Sequence, residues 1–501
     1  MKSQAMLLLA LLGCIVRAAP AQYARADPFQ TSVTQIRKAM SPSESGIQHF
    51  RWVSLRMLED PAMRPLCEAL IQRPEVPLRV DGFVGLALVS ADKSLDAKRI
   101  NQLKDPALRR ILITEALGLE LLKPAAIHEF LGAADLTNYE RALLVAELNR
   151  QGESWDKPLL AESPSDDAAE VAGLASMLML ERGDAASWKA LRVKCGELPP
   201  PDQVELMKQL ANAARQYRIK GAAEPLLEAT ANSKDADRAA AVTAAVSLAP
   251  AVGRAAVLEC VQRDHSQANL VPMGMLMLSA KEGFTAADFA AIRNGDPLVE
   301  AIADAGAAMR TPGADKAAAL QALLGNGNRA TSEFVMSVIP TLPPEVARPL
   351  LLGVLDRIAK SRTMRTEDQV PALLAVQQLL RTPEAHEALL KTTLESVEDN
   401  VGLAETIMSV VADSSSADAA VFARLIRGKL PRRGDSMALL ALAKASTSLS
   451  PAEIQELGMI ASGGGNLDEP SQIQAAWLFL KYSKREKDAI ALLSRPDRGA
   501  S

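Results

Sequence analysis

The chain has 501 residues, of which 48% are hydrophobic and only 3% aromatic, and its formal net charge is −4 at pH 7. That length suits about three compact domains or one extended repeat array, and the hydrophobic share excludes a chain dominated by disorder. Ala, Leu and Met fill the apolar positions, which points away from sheet sandwiches and barrels, and the small, interspersed charge leaves no field that would gather nucleic acid or an anionic membrane.

Residues 1–21 carry Lys2, an apolar run from Met6 to Val16 and the small-residue ending Ala19-Pro20-Ala21. This is the pattern of a secretory signal peptide, so the expected product is exported, periplasmic or secreted, and begins near Gln22. Removal of this segment deletes Lys2 and Arg17 and no acid, taking the charge from −4 to −6. Gly13-Cys14 supports an alternative, cleavage and lipid anchoring at Cys14. The apolar run is too short to span a bilayer and no later stretch is long enough, so no integral membrane segment is expected.

Residues 22–43 lack clear periodicity and read as an irregular N-terminal arm. From residue 44 onwards amphipathic runs follow one another through short breaks, in an N-terminal helical-repeat region, 44–195, and a C-terminal one, 196–501. Val204, Met207, Ala211 and Ala214 recur at helical spacing, as do Val346, Leu350, Val354 and Ile358, and no run alternates with period two between hairpin turns. Ser450-Pro451-Ala452-Glu453 reads as a capping box opened by proline, with Thr285/Asp288 and Thr366/Gln369 as weaker versions. Gly221, Gly283 and Gly325 stand where left-handed helix stops are useful. Turn formers gather at Gln151–Asp167, Gly196–Pro201, Gly325–Asn328 and Ser462–Pro470.

Self-similarity is degenerate. Glu59-Asp60-Pro61-Ala62-Met63-Arg64 and Lys104-Asp105-Pro106-Ala107-Leu108-Arg109 share an Asp-Pro opening, an apolar residue and an Arg, 45 residues apart. Asp235 to Ala241 and Asp296 to Ala301 begin similarly. In these segments, and best in Asp105–Gly118, the chain resembles the HEAT-repeat family, whose helix pairs often open with Asp-Pro or Asp-x-x-Arg. The resemblance implies an all-α fold, an α-solenoid formed as a superhelical stack of antiparallel helix pairs, about a dozen here, used as a scaffold for protein contacts. It carries over no catalytic residue.

Catalytic, cofactor and metal motifs are missing from the sequence. His49, His128, His265 and His386 are isolated, with no second ligand at helix-face spacing. Cys67, Cys195 and Cys260 are too scattered for a disulfide framework and read as buried helix cysteines. Gly325-Asn326-Gly327-Asn328 and Gly463-Gly464-Gly465 do not lead a strand into a helix, so they read as turns and not phosphate cradles. Asp166-Asp167 and Glu398-Asp399 fall at helix breaks, where acids cap, and Arg433-Gly434-Asp435 sits where a helix begins. Basic residues gather in three groups: Arg357, Lys360, Arg362 and Arg365; Arg424, Arg427, Lys429, Arg432 and Arg433; and Lys481, Lys484, Arg485 and Lys487. The second group is the candidate surface for an acidic protein partner, against the plainer role of cations at helix C-termini. The expected function is non-catalytic binding by an exported scaffold, with no cofactor and no nucleic acid. An enzyme or enzyme accessory with dispersed active-site residues is the rival reading.

Overall fold

The structure, a computed structural model, describes residues 27–41, 47–133, 135–155, 169–233, 236–263, 266–280, 283–311, 315–325, 329–339, 342–361, 363–414 and 417–494. The described residues form 28 α-helices and no strand. No helix among them is long and apolar enough to cross a membrane. His265, Asp166-Asp167, Arg362, Cys14 and the proposed signal segment lie outside the described residues.

Helices start where the chain supplies acceptors for their unpaired N–H groups. Ser450/Glu453 and Thr285/Asp288 form reciprocal capping boxes, and so does Thr137/Glu140. Asp105 and Asp296 cap helices whose first residue is proline. Thr366 departs from expectation: it is the first helical residue, with Arg365 at the cap and no side-chain cap bond. The glycines expected as left-handed stops do not act as such. Left-handed backbone is found instead at Gly152, Gly183, Gly295, Gly428 and Gly463 and at seven other residues, among them Glu59 and Lys104.

Two compact units emerge, and neither boundary coincides with the expected division at 195/196. Packing runs through that point, because the Ala169–Glu181 helix lies against Pro200–Gln216. The middle unit is the continuous stretch 82–411, where each helix packs mainly on its immediate successors. Among its described residues, Phe83, Phe130, Phe289 and Phe334 are the largest fully buried aromatic side chains. An arginine recurrently reaches the first turn of the next helix but one: Arg109 bonds Glu140, and Arg254 bonds Asp288 twice, at 2.7 and 2.8 Å. Each of these acids belongs to a capping box, so one carboxylate both starts a helix and fastens it to an earlier one.

The terminal unit joins described residues 27–81 with those of 412–494. The supposedly irregular arm contains a helix, Pro28–Ala39, capped by the Asp27 carboxylate and burying Phe29, Ser32, Val33, Ile36 and Ala39. Those positions are spaced as one helical face. The helix packs on Pro451–Ala461, Glu469–Tyr482 and Glu486–Leu493. Trp477 is fully buried there and donates its indole N–H to Asp60 at 3.1 Å. Lys481 pairs with the same Asp60 carboxylate at 2.8 Å.

Candidate functional site

The second basic group spans two consecutive helices of the terminal unit, Ala417–Ile426 and Arg432–Ala445, and the turn between them. The first helix has apolar residues on more than one face. It buries Ala419, Ala420, Phe422, Ala423 and Ile426, which leaves Val421 57% and Leu425 46% exposed. Arg424 is exposed between them in sequence, and these three positions share one helical face by their four- and three-residue spacing. Gly428, in left-handed backbone at φ +74°, turns the chain. Lys429 is exposed in that turn, Pro431 takes the cap position, and Arg432 and Arg433 are exposed in the first turn that follows.

Arg427 differs from its neighbours. Its guanidinium lies 2.8 Å from Glu456 and 3.2 Å from Asp435, and the side chain is mostly covered. Burial alone would lower its pKa, but Glu456, Asp435 and Glu453 outweigh that and raise it. Asp435 also accepts the Gly428 N–H at 2.6 Å. The Arg433-Gly434-Asp435 tripeptide is thereby built into a helix start, with Gly434 buried. Glu453, occupied by the Ser450 capping box, has its pKa lowered: burial pushes it up, and the Ser450 hydrogen bonds, then Arg427 and Arg424, outweigh this. Among the exposed cations, Arg424 shares its helical face with the exposed apolar pair, and Lys429 and Arg432 follow in the turn and the next helix start. Such a surface offers charge and apolar contact to a partner bearing carboxylates.

The other basic groups are largely engaged within the fold. Arg357 donates to the Leu324 carbonyl and Lys360 pairs with Asp356. Lys481 holds Asp60, and Arg485 stacks over the Phe29 ring with its guanidinium carbon 3.6 Å from the centroid. His386 is buried with a ring nitrogen 2.9 Å from the Leu380 carbonyl oxygen, and exposed His128 lies beside the Trp155 ring, centroids 5.8 Å apart. His49 falls in the Ile47–Arg56 helix. Cys67 and Cys195 are buried, and burial pushes the Cys67 thiol up to about 12, which removes its thiolate at neutral pH. Among the described residues no group of three or more His, Cys, Asp or Glu side chains could hold a metal ion.

Val421 and Leu425 were not separable from core residues in the sequence, since apolar residues at helical spacing read as buried. The signal available was excess: the helix carries more apolar positions than one buried face accepts. Comparison with protein-family models, with curated proteins and with solved structures finds no match to this chain.

Proposed function

We propose that this chain is an exported, non-catalytic helical scaffold of the α-solenoid type, about a dozen HEAT-like helix pairs, that binds an acidic protein partner. The observation carrying this reading is the exposed cations Arg424, Lys429 and Arg432 in the segment that also exposes Val421 and Leu425. Exposed cations steer and orient an acidic surface, while the apolar pair adds contact area that cations alone lack. Arg427 belongs to the internal framework of this face and not to its binding surface. The two arginine-to-first-turn bonds support the repeat reading, because each ties a helix to the next but one.

The test is cross-linking in the producing cell, mass-spectrometric identification of captured proteins, and repetition with the triple variant Arg424→Glu, Lys429→Glu and Arg432→Glu. An acidic partner captured at least about tenfold less by the variant, with helicity unchanged, is the expected result; a tenfold loss corresponds to roughly 1.4 kcal/mol. Undiminished capture by the folded variant defeats the assignment of this face. Intact mass tests export separately: a product beginning near Gln22 is expected, and an acylated product retaining Cys14 replaces that reading with the lipid-anchored one.

A further inference from the structure

The Pro28–Ala39 helix is seated much as a bound peptide would be. Pro28 approaches the Pro451–Ala461 helix at Gly458, where a Cβ would lie 2.9 Å from the Pro28 Cβ and 3.2 Å from the Phe479 ring. Glycine is what leaves room for this contact. Phe29 sits under the Arg485 guanidinium, a contact of aromatic face with cation. At the other end Lys38 pairs with Glu469 at 2.6 Å, and Arg37 donates to the Leu492 carbonyl at 3.4 Å. The helix touches its sequence neighbour, Ile47–Arg56, much less than it touches the C-terminal helices.

This seat is also incompletely satisfied. Ser32 Oγ and Gln35 Oε1 on the helix, and Glu486 Oε2 on one of the helices it packs against, are buried with no protein hydrogen-bond partner among the described residues. Such atoms add no protein hydrogen bond to hold the helix in its seat. Lys38 is half exposed, so the pair it makes with Glu469 is screened by salt and holds little. The helix is short, and once undocked it has little reason to stay helical.

We propose that Pro28–Ala39 is an exchangeable strap, and that the cleft it occupies, built by Pro451–Ala461, Glu469–Tyr482 and Glu486–Leu493, also accepts the same helix from a second copy of this chain. The occupant follows from the structure: the cleft already holds a ligand of this chemistry, and a second copy supplies an identical one. Exchange of an element that packs on distant residues is a low-cost route to a dimer.

The experiment uses the full-length protein and a fluorescent synthetic peptide spanning residues 27–41. Hydrogen exchange is expected to show the amides of residues 31–40 opening at least about tenfold faster than those of 473–480, more so in added salt. The peptide is expected to enter, to be displaced by unlabelled peptide, and to fail when it carries Phe29→Ala and Ile36→Ala. Two preparations of full-length chain bearing different dyes near residue 28 are expected to show energy transfer after mixing at high concentration. Strap amides that open only together with 473–480 would overturn the proposal. So would failure of the unmodified peptide to enter, equal entry of the two peptides, or mixed chains without energy transfer.

Discussion

The two units solve the same packing problem with different parts of the chain. In the middle unit, the arginine bonds that tie helix to helix span 31 and 34 residues. In the terminal unit, the indole of Trp477 reaches Asp60 across 417 residues, and Lys38 reaches Glu469 across 431. Local pairing can form as the chain is made, whereas the terminal core stays open until the last helices are present. Closing so long a loop costs more conformational entropy, although the cost rises only with the logarithm of its length. Dense burial around Trp52 and Trp477 offsets that cost.

The largest expected effect breaks the terminal core alone. Trp477→Ala removes a fully buried indole and leaves Asp60 short of one donor, a change that costs about 3–5 kcal/mol. Amides of Pro28–Ala39 and Ile47–Arg56 should lose protection together with those of Glu469–Tyr482, while helices from Pro106 to Ala359 keep theirs. Hydrogen exchange read by mass spectrometry decides it. Equal loss in both units would mean that they do not unfold separately.

The matching disturbance in the middle unit is Gly306→Ala. A Cβ at Gly306 would lie 2.0 Å from the Phe289 ring, so the Pro297–Arg310 helix can lie close to that ring only because this position has no side chain. Phe289 is itself fully buried and has little room to retreat. Overpacking of this kind costs about 1–3 kcal/mol, and loss of protection should centre on Ala286–Arg310 and its neighbours. Loss of protection at Pro28–Ala39 instead would contradict the local character assigned to this unit.

How far these units were legible in the sequence follows the same division. Capping at Ser450/Glu453 and Thr285/Asp288, and the Asp-Pro openings at Asp105 and Asp296, were readable because each needs only neighbours in the chain. Helix Pro28–Ala39 was missed although Asp27-Pro28 and the spacing of Phe29, Val33 and Ile36 were there to find. The pattern fills only two turns, and what the face packs on lies hundreds of residues away. The basic group was legible as composition. That Arg427 would be taken by Glu456 and Asp435, leaving Arg424 and Lys429 outward, depends on which helices meet, and spacing along one helix does not encode that.

Both units hold carboxyls whose pKa is lowered, Asp288 and Glu300 in the middle unit and Asp60 and Glu469 in the terminal one. The Asp60 carboxyl is pushed up by burial, but hydrogen bonds from Lys481, the Ala62 N–H and Trp477 outweigh this and hold its pKa below the usual value. Glu469 is likewise lowered, first by its hydrogen bond from Lys38. A carboxyl depressed in the folded state stabilises fully above its unfolded pKa, about 4, and that stabilisation is lost as pH falls through the folded value. Asp60→Asn removes the charge and leaves one acceptor oxygen where the carboxylate offered two, so either Trp477 or the Ala62 N–H loses its partner, and the change should cost about 2 kcal/mol at neutral pH, allowing for the half-exposed Lys481. Denaturation midpoints followed from pH 7 to pH 3 should show a shallower acid decline for the terminal unit of this variant. An unchanged slope would mean that Asp60 does not set it.

The smallest effect compares the units at a motif they share. Glu59 and Lys104 immediately precede Asp60-Pro61 and Asp105-Pro106, and they hold nearly the same left-handed backbone, φ 48° and 49°. A side chain costs about 1–2 kcal/mol there, whereas glycine pays no such strain but gives up about 0.4–1 kcal/mol through its freer unfolded state. Lys104 is exposed and contributes only a weak attraction to the exposed Asp135 carboxylate, so Lys104→Gly should stabilise the middle unit by about 0.5–1 kcal/mol. Glu59 makes a further interaction in the fold, which Glu59→Gly would forfeit, so the gain in the terminal unit should be smaller. Urea midpoints of the two variants, each read by amides of its own unit, make the comparison. A destabilised Lys104→Gly would show that the turn before Asp105 is held by more than its backbone angle, and that the motif is equivalent in sequence but not in energy.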